Sequence, residues 1–179
     1  MNFPSRSVTI PSGAGGGTRT ISIASGDYAP NNAYSAELEA AGLVDVTVNR
    51  GGILQVNASW SIPEIIDGTS NTIMLSECAG RPDRWQAGKL TAVGSQTDGG
   101  WADHDNEYIV HGYNAAGTAT PGPCHTNCTN NNEVYSFHSG GANHVMGDGS
   151  VRYIRASMDI RQFVKLVTRN GNDVVTGNY

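Results

Sequence analysis

Residues 135–151 read Tyr-Ser-Phe-His-Ser-Gly-Gly-Ala-Asn-His-Val-Met-Gly-Asp-Gly-Ser-Val, and no other stretch limits the fold so strongly. Two strand-like runs, 144–147 and 150–155, flank Asp148-Gly149. An Asp-Gly pair between such runs signals a two-residue hairpin, because both central positions of a type I′ turn need positive φ. A further strand-like run at 134–138 ends at His138, so this part of the chain is expected to be antiparallel sheet. His138 and Asp148 are separated by nine residues.

The element that follows has a different period. Ile160, Phe163, Val164 and Val167 stand at i, i+3, i+4 and i+7 and form one apolar stripe. Ser157 is the expected cap of a helix reaching about residue 168, with Lys165 and Arg169 suited to its C-terminal end and Asn170-Gly171 stopping it. Val174-Val175 is read as an edge strand. Upstream, the reading is a strand at 20–24, a helix over 33–41 capped by Asn31 or Asn32, a half-buried strand at 44–48, and strands at 53–62 and 72–79 around an Asp67-Gly68 turn. Residues 80–132 are rich in Gly, Pro, Asn and Thr and read as mostly loop, with short strands near Trp101 and at 108–113. The whole is one domain over 1–179, with a flexible lead-in at 1–19, the loop-rich region at 80–132, and the C-terminal hairpin and helix at 133–179. The fold class is α+β: a β-rich antiparallel domain with a C-terminal helix and long loops.

Composition excludes several partners. A net charge of −5 without a Lys/Arg cluster argues against nucleic acid and anionic membrane surfaces, which need a basic face to displace counterions. No apolar run reaches the 18 or more residues of a bilayer span, and the first thirty residues lack the basic and apolar regions of a signal peptide.

Candidate chemistry is sparse. Glu77, His138 and Asp148 could serve a metal-dependent hydrolase if their side chains met. The alternative reading makes His138 a partly buried ring that bonds loop backbone above Gly140-Gly141, and makes Asp148 and Gly149 turn residues. Cys124-x3-Cys128 suits a local disulfide better than a redox pair, which usually has two intervening residues, or half of a zinc site. Asp103, Asp105 and Glu107 place hard oxygen ligands at alternating loop positions, a possible Ca2+ site, although Tyr108 stands where a calcium loop wants glycine. Trp101 and Tyr108 are candidates for stacking against a carbohydrate ring.

The His138-x9-Asp148-Gly149 spacing resembles the C-terminal signature of the DUF1559 proteins, prepilin-like proteins abundant in Planctomycetes. Asp67-Gly68-Thr69-Ser70-Asn71-Thr72, with Glu77 after it, resembles the family's Asp-Gly-Thr-Ser-Asn-Thr block. Gly99-Gly100-Trp101-Ala102-Asp103 and residues 121–133 resemble further blocks, in the family's order, across roughly the last two thirds of the chain. The resemblance gives Asp67, Gly68, Asn71, Glu77, His138, Asp148 and Gly149 motif or structural roles. It implies a pilin-head-like fold and a non-enzymatic head of a pseudopilin-like protein in a type II secretion or type IV pilus-like assembly. It further implies other pilin-like subunits or secretion components as partners, and a parent protein at the periplasm or cell surface, held by an N-terminal membrane helix. Met1-Asn2-Phe3-Pro4-Ser5-Arg6 departs from that helix, so this chain is expected to be either the soluble part of such a protein or a natural short relative that has lost the helix. A surface module binding carbohydrate or another envelope ligand is the second reading, and the hydrolase the third.

Overall fold

The computed structural model describes residues 5–12, 17–96, 98–101, 103, 105–171 and 175. In chain order its strands and helices are β1 (Ser5–Ser12), β2 (Gly17–Ala24), β3 (Tyr28–Tyr34), α1 (Ala36–Ala40), β4 (Ile73–Glu77), β5 (Arg84–Gln86), β6 (Lys89–Ala92), β7 (Tyr108–Val110), β8 (Gly141–Met146), β9 (Val151–Arg155) and α2 (Ile160–Val167). The α+β class holds. A five-stranded sheet runs β7-β3-β4-β8-β9, and β1-β2 and β5-β6 form separate two-stranded ribbons. Pairing within the main sheet is antiparallel except where β3 runs parallel to β7.

β4 is the centre of this sheet, and its neighbours explain its burial. Ser76 lies opposite Ala29 of β3 and opposite His144 of β8, and all three are fully buried. The apolar stripe of α2 buries Ile160, Phe163, Val164 and Val167, as its period requires, in one cluster with Ile73, Met146, Ala142 and Ile154. Asp159, two residues after the expected cap, closes the helix N-terminus by accepting from the Arg161 N–H at 2.8 Å.

Several sequence expectations change. The lead-in forms the β1-β2 ribbon, residue for residue from Ser5↔Ala24 to Ser12↔Gly17. Residues 33–41 do not make one helix, because Asn31 is fully buried within β3, and only Ala36–Ala40 is helical behind a Ser35 cap. Among the described residues the 44–48 alternation finds no partner strand, and Val46 and Val48 remain 80% and 91% exposed. The 53–62 run is broken by Asn57 at φ 54° and ends in a 3-10 turn at Ile62–Glu64, where the Ser61 N–H and hydroxyl both donate to Glu64. Residues 134–138 make isolated bridges instead of a strand, and Trp101 lies in a turn. The β5-β6 ribbon was not foreseen, since Ala87-Gly88 at its tip is not one of the usual turn pairs. Val174 lies outside the described residues.

The β8-β9 connection is also different. Met146 N–H donates to Ser150 O at 2.8 Å and Gly149 N–H to Met146 O at 2.9 Å, which closes a three-residue loop. Gly149 holds φ 83° and Asp148 is not among the positive-φ residues. This is a turn followed by a left-handed glycine, the three-residue alternative to type I′.

Candidate functional site at the two ends of the central strand pair

β4 and β8 run antiparallel, and each is bracketed by candidate residues. Asp67 and Glu77 enclose β4 at a separation of 77 − 67 = 10, and His138 and Asp148 enclose β8 at 148 − 138 = 10. The antiparallel pairing, with Ser76 opposite His144 and Ile73 opposite Met146 across a one-residue bulge in β4, puts Glu77 at the end of the pair near His138 and the Asp67 block at the end near the Asp148 loop. The nine-residue gap is thus the length of one strand with its approaches. A strand of six residues separates His138 from Asp148 by about 20 Å, so these two side chains do not meet.

At the first end Glu77 is 7% exposed and its carboxylate is fully engaged. Oε2 accepts from the Asn143 N–H at 2.5 Å, while Oε1 accepts from the Tyr28 hydroxyl at 3.4 Å and lies 3.2 Å from His138 Nε2. The His138 side chain is 61% exposed, so it is not the partly buried ring expected from sequence. Its ring meets a carboxylate instead of loop backbone, and the His138 backbone N–H donates to Ser136 Oγ at 2.9 Å.

At the second end Asp67 Oδ2 accepts from the Gly171 N–H at 2.7 Å and from the Thr168 hydroxyl at 3.1 Å, beyond the last turn of α2. Asn71 donates to Asp67 O, the Thr72 hydroxyl donates to Gly68 O, and Gly68 turns the chain at φ 93°. Gly147 N–H and Asp148 N–H donate to Thr72 O and Thr69 O at 2.8 and 3.1 Å. Asp148 itself is exposed and accepts from the Ser150 N–H and hydroxyl, which hold its carboxyl below the usual range. The block therefore fastens the hairpin loop on one side and the end of α2 on the other.

Between the two ends lies a buried polar line that sequence reading did not isolate. Ser76 Oγ is 2.5 Å from Tyr108 Oη and 2.6 Å from His144 Nδ1, all without exposure. Burial drives His144 down to about 3 and His125 down to about 4. The His125 ring stacks on Phe163 at 4.0 Å and contacts Met158 O and Thr126 Oγ1. Glu133, also buried, accepts from the His111 and Gly112 N–H groups, and burial pushes it up to about 7. A Ser-His contact sealed in this way offers no face to a substrate. The cross-strand alternation of β4 and β8 was the signal that could have paired Ser76 with His144.

The remaining candidates separate. Cys124 and Cys128 are bonded, with Cα atoms 6.3 Å apart, and Cys78 is buried with its thiol pushed up to about 11 by desolvation. Trp101 is 80% exposed whereas Tyr108 is fully buried, so the two make no common stacking platform. Among the described residues no three His, Cys, Asp or Glu side chains are arranged to hold a metal, so Asp103, Asp105 and Glu107 do not assemble the calcium site. Neither do Glu77, His138 and Asp148. No described helix is long and apolar enough to cross a membrane.

In comparison with known proteins, a family model described as "Protein of unknown function (DUF1559)" matches residues 2–161. No curated protein and no solved structure matches the chain.

Proposed function

This chain belongs to the DUF1559 family, and on that premise we propose that it is a non-enzymatic structural or interaction domain, the head of a pseudopilin-like protein in a type II secretion or type IV pilus-like assembly. The observation that carries the reading is how the signature residues are used. Asp67 holds the segment after α2, the residue 67–72 block holds the Asp148-Gly149 loop, and Glu77 ties β8 to β3 and His138. Each is committed to the rigidity of one sheet, which is what a repeating subunit requires of its exposed domain. The Cys124–Cys128 bond supports a periplasmic or cell-surface setting, where disulfides persist. Its partners are other pilin-like subunits or secretion components.

The hydrolase reading loses support because Asp148 is held away from Glu77 and His138. To test the favoured reading, the epitope-tagged protein is cross-linked in its native cells and the sheared surface fraction is analysed. Recovery in a high-mass complex with pilin-like subunits is the expected outcome. Recovery only as an uncrosslinked monomer rejects it.

A further inference from the structure

We propose that β9 is an assembly edge: it pairs antiparallel with β9 of a second copy of this chain, across a two-fold axis at Tyr153, and joins two sheets into one. The sheet order ends in β9, and among the described residues no strand pairs with its outer side. The edge is regular. β9 runs opposite β8 without a bulge, from Gly141↔Arg155 to Val145↔Val151, and it contains no proline. The other edge strand, β7, has only three residues, and its Tyr108 and Val110 are fully buried. Natural sheets blunt open edges by proline, bulges, covering or charge, and of these β9 retains only charge.

The alternation along β9 decides which groups face out. Met146 N–H donates to Ser150 O at 2.8 Å and Ala156 N–H to Gly140 O at 2.9 Å, so residues 150, 152, 154 and 156 exchange bonds with β8. Val151, Tyr153 and Arg155 therefore direct their backbone N–H and C=O groups away from the sheet. Arg155 O is taken by the Met158 N–H at 3.1 Å, which leaves Val151 and Tyr153 as the main pairing residues. Their side chains are 65% and 41% exposed, on the face opposite the buried Ile154. An outward row of alternating donors and acceptors is complemented by another strand.

Charge selects a second copy and fixes its register. The start of β9 follows exposed Asp148, and its end carries exposed Arg155. Asp159, beyond the strand, is turned to the α2 N-terminus, where it accepts from the Arg161 N–H. Antiparallel self-pairing sets the acidic end of each copy beside the basic end of the other. Centred on Tyr153, it places Arg152 of one copy opposite Ile154 of the other and Arg155 opposite Val151, and it makes about four backbone hydrogen bonds. Centring on Arg152 would oppose two like charges, which is destabilising. Centring on Ile154 would spend the pairing on Arg155, whose carbonyl is already used. The contact goes beyond the assembly reading above and does not depend on it.

A contact one strand wide buries less than the roughly 1,200 Å² of a stable pair, so the dimer is weak and is sought at high concentration. The full chain is examined by sedimentation equilibrium from about 10 μM to about 1 mM, a range that spans weak contacts. The expected result is a reversible dimer, weakened roughly tenfold or more by Tyr153→Pro, which removes an outward N–H and leaves the bonds to β8 in place. Arg155→Glu, at an exposed position, sets two acidic ends together and serves if Tyr153→Pro unfolds. Register is read by oxidative cross-linking. Tyr153→Cys should form a disulfide with its own copy, because paired Cα atoms about 5.5 Å apart suit that bond. Val151→Cys should cross-link only when mixed with Arg155→Cys. A chain that stays monomeric at about 1 mM, a dimer unchanged by both charge and proline variants, or one in which Tyr153→Cys does not cross-link overturns the proposal and leaves β9 to a strand of another protein. A monomer would leave the secretion or pilus reading standing, since subunits can join through other surfaces.

Discussion

Lowering the pH from 6.5 to 4.5 should destabilise this domain by about 2 kcal/mol. His125 and His144 are buried and lie at about 4 and about 3 in the folded chain, below the ordinary 6.5. Their folded values are depressed, so the unfolded chain binds more protons and stability falls as the pH drops through 6.5. Glu133 acts in the opposite sense. Its folded value, about 7, lies above the ordinary 4.5, so across this window the folded state carries a proton that the unfolded chain lacks. Near pH 5 two protons on the unfolded side against one on the folded side leave a difference of about one, or about 1.4 kcal/mol per pH unit, and the slope flattens towards pH 6.5, where each unfolded histidine is half protonated. Set against a total of about 5–15 kcal/mol for an ordinary domain, this is a large share. Urea unfolding followed by circular dichroism at pH 6.5, 5.5 and 4.5 measures it. Glu133→Gln removes the opposing proton and should double the slope. Equal midpoints at the two extremes, or the same slope in the variant, would refute the assignment of these groups as titrating between folded and unfolded states.

Gly149→Val should cost about 1–2 kcal/mol, all of it backbone strain, because an added Cβ meets nothing within 4 Å at φ 83°; a wild-type melting temperature would show that the loop tolerates a branched residue. Asp67→Ala should cost about 2–3 kcal/mol by stranding the Gly171 N–H and the Thr168 hydroxyl, whereas His138→Ala, losing an exposed pairing, should cost under about 1 kcal/mol. A reversed order in chemical denaturation would return His138 to the centre of the site. Reduction of the Cys124–Cys128 bond should remove about 2 kcal/mol, and alkylation of both thiols in the unreduced protein would contradict the pairing.

What could be read from residues alone was what local chemistry decides. The α2 stripe, the β8-β9 hairpin and a strand within 72–79 follow from periodicity and turn residues. The errors came where a local pattern lacked a tertiary partner. Val44, Val46 and Val48 alternate like a strand, yet no described neighbour offers a ladder, and of the three Val44 alone is buried. Asn31 looked like a helix cap because nothing local shows that it is enclosed within the sheet. At the site, the motif spacing was visible, but its meaning depended on which strand pairs with which. His138 seemed enclosed because it stands near aromatic residues and glycines, while the chain leaves it at an exposed corner beside Glu77.

The two matched ten-residue spans on β4 and β8 behave as a pair of gauges set against each other. β4 already takes up one extra residue between Ile73 and Leu75, so a further residue in either span needs a second bulge or costs one end: the Glu77–His138 contact or the seat of the Asp148 loop on Thr69 and Thr72. Side chains between the fixed points are free to drift in identity so long as they keep their faces, but length is not. A related chain that tolerates an insertion in one span is therefore expected to carry either a compensating insertion in the other or a further bulge in the β4–β8 pair.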